Sequence, residues 1–163
     1  QPALPRIPYE LFKRILAFFR YYTEQEHPLE VMVQIYWDSL KKRFLVVVPY
    51  QHVSGVEIRV PEEQPGQLDE ERFYYYADIH SHNIMPAFFS EQDNRDELAT
   101  RLYIVVGRLQ RPSPEIRARI SNGGKFMEIP LEDVVEVSPA EFPEYWTASV
   151  APSFTANRKG NAL

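Results

Sequence analysis

Two histidines separated by one residue, His80 and His82, and an aspartate further along, Asp93, are the side chains of this sequence best suited to grip a metal ion. Imidazole nitrogens and carboxylate oxygens are ordinary zinc donors, and the chain has no cysteine, so a zinc site here must be built from histidine and carboxylate. Three protein donors leave one tetrahedral position open for water, as in catalytic zinc sites, whereas structural sites are usually closed by four. Each half of the pattern also has a plainer reading. Ser90-Glu-Gln-Asp93 is a helix-start signature, with Ser90 as N-cap and Asp93 in the first turn, and a His-x-His pair alone says little. The joint spacing carries the weight, because average residue usage would produce it roughly once per ten thousand histidines. The two readings are also compatible, since Ser90 can begin the helix whose first turn carries the donor.

These residues need elements to hold them. Residues 73–79, Phe-Tyr-Tyr-Tyr-Ala-Asp-Ile, have the aromatic and β-branched content of a buried strand. Alternation along that strand points His80 and His82 the same way. Asp78 shares the face and either orients His80 from behind or is simply a solvated carboxylate. Beyond a loop containing Pro86, the polar residues 91–100 suit a helix whose first turn faces back toward the strand end.

His80-x-His82, seven residues, Ser90, two residues, Asp93 resembles the signature of the JAMM (MPN-plus) metallopeptidases, most of all their bacterial JAB branch. The resemblance implies a JAB/MPN-like, cytidine-deaminase-like α/β fold and Zn2+ held by His80, His82 and Asp93. It further implies a remote glutamate as general base and Ser90 steadying the tetrahedral intermediate. The activity implied is that of a zinc-dependent amide-bond hydrolase, a peptidase or isopeptidase acting on a protein or peptide substrate such as a ubiquitin-like tail. Glu30 lies after a predicted helix and at the start of a predicted strand, the position of the family's base, with Glu26 and Glu57 as alternatives. A glutamate exposed at a strand end is the plain reading of Glu30. Two features depart from the family: Val31, Met32 and Val33 replace the small residues that commonly follow the glutamate, and Asn83 replaces the proline after the second histidine. A differently shaped loop is therefore expected there. The alternative function is a non-catalytic MPN-like interaction module.

The remaining sequence supplies the frame. Leu11, Ile15, Phe18, Phe19 and Tyr22 form one side of a helix over residues 9–23, and residues 29–37 and 44–48 make a hairpin around the solvated turn Lys41-Lys42-Arg43. Val56, Ile58 and Val60 alternate as the inward side of a further strand. His52 reads as a surface histidine or a polar wall of the site. Residues 61–72 form an acidic solvent loop able to attract a basic partner. Residues 101–108 read as a central strand, and 115–120 with 125–129 as a second hairpin turning at Asn122-Gly123. Residues 134–136 suggest an edge element. The order predicts an α/β mixed β-sheet flanked by helices, in one domain over residues 1–137. A C-terminal tail over 138–163 follows, anchored only by Tyr145-Trp146 and disordered at its end.

Composition sets outer limits. With 163 residues, 44% hydrophobic, the chain can bury one real core. Its net charge of −5 argues against a nucleic-acid or anionic-membrane surface. Absence of cysteine, of a signal-peptide pattern and of any apolar run near ~20 residues points to a cytoplasmic protein. The sequence opens on Gln1 rather than Met, consistent with removal of an upstream segment.

Overall fold

The chain is described here by a computed structural model covering residues 4–136, 138 and 142–153. An amphipathic helix, α1 (Tyr9–Thr23), opens the fold, with Glu10 in its first turn and Arg20 in its last, the signs that suit the helix dipole. A hairpin follows, β1 (Met32–Asp38) and β2 (Arg43–Val47). Its turn places Lys42 in the left-handed region (φ 52°) and lets Asp38 Oδ1 accept from the amides of Leu40 and Lys41. Next come a two-stranded ribbon, β3 (His52–Val53) with β4 (Ile58–Arg59), then β5 (Phe73–Ser81), a short helix α2 (Glu91–Asp96), and β6 (Arg101–Gly107). The hairpin β7 (Glu115–Asn122) and β8 (Lys125–Ile129) completes the main sheet.

Six strands lie in the order β2-β1-β5-β6-β7-β8. All neighbours are antiparallel except β5 and β6, which run parallel. A parallel pair needs a crossover, and here the crossover is the loop after His82 together with α2. Chemistry-bearing residues therefore collect outside the carboxyl end of β5, where open α/β sheets commonly bind ligands. The other sheet face is apolar. Phe12, Ile15 and Phe19 of α1 cover Val33, Ile35, Ala77, Ile79, Leu102, Ile104 and Val106 in one buried cluster. A register shift between Ile35 and Tyr36 lets successive residues of β5, Tyr76 and Ala77, both reach this cluster.

The mixed sheet, α1, both hairpins and the central strands follow the sequence reading, and several details differ. Phe12, not Leu11, is the fully buried residue of the first turn of the stripe, with Leu11 only partly covered. Ahead of α1, where the sequence reading places no element, Ile7 is fully buried and bridges Val135. Val56 is 79% exposed because it precedes β4, whose two residues pair with β3 in a separate ribbon and not with the sheet. Tyr74 points largely to solvent. The second hairpin turns on Gly123-Gly124, both at positive φ, with Asn122 paired to Lys125. Tyr145 and Trp146 sit in a 3-10 turn (Glu144–Ser149) and are mostly exposed, so they do not anchor the tail. The expected boundary at residue 137 and the expected disorder of 154–163 fall outside the described residues. No helix among the described residues is long and apolar enough to cross a membrane.

Candidate metal centre

Met32 and His80 are directly paired between β1 and β5, and the contact continues past the strand ends as the Ser81 amide donates to the Val31 carbonyl. The Ser81 hydroxyl in turn accepts from the Val31 amide. This pins Glu30 beside His82. His82 is held by its amide on the Val106 carbonyl and by the Phe88 ring edge-on at 4.9 Å. Across the loop, Ser90 caps α2: its hydroxyl accepts from the Asp93 amide, while Asp93 Oδ2 accepts from the Ser90 amide at 2.7 Å and from its hydroxyl at 2.8 Å. The capping and donor readings of Ser-x-x-Asp thus coexist.

The three expected donors meet. His80 Nε2 lies 3.1 Å from His82 Nε2 and 3.3 Å from Asp93 Oδ1, and His82 Nε2 lies 3.6 Å from Asp93 Oδ2. Four donors at zinc–nitrogen distances of about 2.0–2.1 Å form a tetrahedron with edges of about 3.3 Å. The two Asp93 distances run to different carboxylate oxygens, so the group comes close to that spacing without reproducing it, and its two imidazoles and one carboxylate are a donor set that fits a zinc ion. Among the described residues this is the group of three or more such side chains whose ligand atoms converge, all within 4.8 Å.

Electrostatics agree with the geometry. Burial acts to raise the Asp93 carboxyl, but the imidazoles of His80 and His82 and the Ser90 amide outweigh it and hold it below the usual carboxylate range. Burial acts to lower His80, yet the Asp93 carboxylate beside it leaves the imidazole raised. Glu30 is only 8% exposed, and burial pushes its carboxyl up against the opposing pull of His82 and His80. It opens onto a cleft of about 560 Å³ shared with His80, His82, Ser90 and Asp93. Of the alternatives to Glu30, Glu57 lies on the rim of this cleft and Glu26 is an exposed residue after α1 that does not line it. His52 packs on Tyr50 away from the cleft. Asp78 lines the cleft floor with a buried Oδ1 that has no hydrogen-bond partner.

A family model described as prokaryotic homologs of the JAB domain matches residues 12–121, well over half of the chain. The chain belongs to this family. No curated protein matches it significantly. Among solved structures, the solution structure of protein DSY2949 from Desulfitobacterium hafniense matches with a TM-score of 0.47 and 16% identity, covering 76% of this chain and 88% of that one.

In this JAB domain the Asn83 departure has a structural cause. Asn83 sits at φ 52°, a left-handed conformation closed to proline and tolerated by asparagine. Its side chain is satisfied, donating to the Gly55 carbonyl and accepting from the Thr23 hydroxyl. The loop then folds back onto the end of β6, where a Cβ at Gly107 would overlap the Met85 carbonyl and the Pro86-Ala87 peptide. The JAB domain also holds a feature that sequence reading gave no role. Helix α2 stops at Asp96 rather than running to residue 100, because Glu97 turns inward to a buried ion pair with Arg119. The alternation of Glu115-Ile-Arg-Ala-Arg marks Arg119 only as a residue of the polar side of β7.

Proposed function

We propose that this protein is a zinc-dependent amide-bond hydrolase acting on a protein or peptide tail, with a ubiquitin-like modifier as one such substrate. The observation that carries the reading is the convergence of His80, His82 and Asp93, whose donor atoms lie within 4.8 Å of one another, with the buried carboxyl of Glu30 in the same cleft. Bound zinc supplies Lewis acidity, making water nucleophilic near neutral pH and polarising the scissile carbonyl. Glu30 accepts the proton released by the attacking water and returns it to the leaving amine. Its raised affinity for protons, a consequence of burial, suits that exchange.

Ser90 has two duties. At rest its hydroxyl donates to Asp93. To stabilise an oxyanion the hydroxyl hydrogen must swing from Asp93 toward the substrate, so Ser90 first fixes the donor and then serves the transition state. The cleft lies between residues 56–60 of the ribbon on one side and Met85, Phe88 and α2 on the other, an open trough suited to an extended chain.

The deciding experiment compares three variants. Glu30→Gln is expected to keep zinc and lose turnover, while His82→Ala and Asp93→Asn lose zinc. Equal zinc loss in all three would overturn Glu30 as the base. Elemental analysis of protein purified without added metal tests the larger claim: folded but zinc-free material would favour a partner-binding module on the same fold.

A further inference from the structure

We infer that Arg119 is a positioning residue for the metal centre, holding the donor Asp93 in place from a neighbouring strand. Helix α2 has six residues and buries none of them, so apolar packing does not fix it. Its start is secured by the Ser90 capping box. Its end is secured by Arg119, whose Nε and Nη2 donate to Glu97 Oε2 at 2.9 and 2.6 Å and whose Nη1 donates to Asn94 Oδ1 at 2.8 Å. These partners flank the donor: Asn94 follows Asp93 directly, and the Glu97 amide donates to the Asp93 carbonyl.

The guanidinium itself has nowhere to go. It is sandwiched between the rings of Phe89 and Phe126, 3.8 Å from each centroid, so the loop before α2 and strand β8 both grip it. The Ser121 hydroxyl closes the arrangement by donating to the Glu97 carbonyl at 2.6 Å. A buried ion pair is a poor source of net stability compared with apolar packing, but its fixed geometry specifies one arrangement. Arginine is needed because its planar fork reaches two partners at once, which an ammonium on a flexible stem does not do with the same precision. Glu97 also lines the metal cleft, so the clamp lies immediately behind the donor set.

This inference rests on the zinc reading for one of its two measurements and not for the other. In the full chain, zinc affinity is measured by chelator competition for wild type, Arg119→Met and Arg119→Lys, with Ile104→Val as a core substitution on the opposite sheet face. Loss of a residue that orients a metal ligand typically weakens metal binding about 10–100-fold. Arg119→Met is expected in that range, Arg119→Lys between it and wild type, and Ile104→Val at the wild-type value despite a lower melting temperature. The second measurement is amide hydrogen exchange of the metal-free protein. Protection of the Asn94 and Glu97 amides is expected to fall about 10-fold or more in Arg119→Met while β5 and β6 amides hold, the signature of local opening. If wild type binds no zinc, the proposed function fails and exchange alone decides the clamp. Wild-type exchange at Asn94 and Glu97 in Arg119→Met, or losses that merely track global stability as in Ile104→Val, would overturn it. Should Arg119→Met fail to fold, Arg119→Lys decides by the same readings.

Discussion

The two faces of the sheet are held by different physics. On one, α1 lays Phe12, Ile15 and Phe19 over Ile79, Ile104 and their neighbours, and burial of apolar area does the work. On the other, α2 buries no residue and is fixed by a capping box, an ion pair and stacked rings. Apolar contact is non-directional, so the first face tolerates small shifts at small cost. Hydrogen bonds are directional and weaken steeply out of line, so the second face fixes the residues around Asp93 by orientation as well as by proximity. Apolar burial is concentrated on the face away from the candidate metal centre, and directional bonding on the face that carries it.

The sharpest way to break this contrast is Glu30→Gln, expected to lower amide hydrolysis by about 10²–10⁴-fold with zinc content and melting temperature unchanged. If Glu57→Gln abolishes hydrolysis instead, the base stands on the opposite wall. Phe19→Ala should behave in the reverse manner. It is expected to cost about 3–5 kcal/mol in denaturant unfolding while the folded fraction keeps its zinc stoichiometry; zinc loss from the folded fraction would show that the two faces are not separable. Ser90→Ala touches both properties, with about 1 kcal/mol of stability lost from the cap and weaker zinc binding because Asp93 is freed.

The smallest effect is at the far end of β1. There Asp38 is paired with Arg72 at 2.7 Å, and this hydrogen-bonded guanidinium holds its carboxyl well below the usual carboxylate range. A depressed carboxyl stabilises the fold above its unfolded pKa of about 4, and the contribution disappears as pH falls through and below that value. Melting temperature against pH should therefore drop less steeply on the acid side for Asp38→Asn than for wild type, with the two profiles parallel above neutrality.

Much of this was legible because the signals are local. The period of α1, the strand leading to His80 and the cap at Ser90 all lie within short windows, and the donors ride on them, while the turn between β7 and β8 was placed one residue early. The Arg119 clamp was not legible. Strand alternation puts Arg119 on a polar face, which reads as solvent-facing, and only Glu97, Phe89 and Phe126, brought from other segments, turn that position into an interior one. Val56 misled for the opposite reason: the alternation holds at Ile58 and Val60, which are half-buried, but Val56 falls before β4 begins and stands out in solvent. Asn83 was visible as a departure, and its backbone angle supplies the cause.

The missing side chain at Gly107 has a mechanical meaning. With the Met85-Pro86-Ala87 backbone lying against that strand end, any side chain at position 107 would push the loop carrying Met85, which lines the candidate metal cleft, away from the sheet. On the proposed reading, the width of the cleft is then left to residues 56–60, of which only Ile58 and Arg59 are held by pairing to β3.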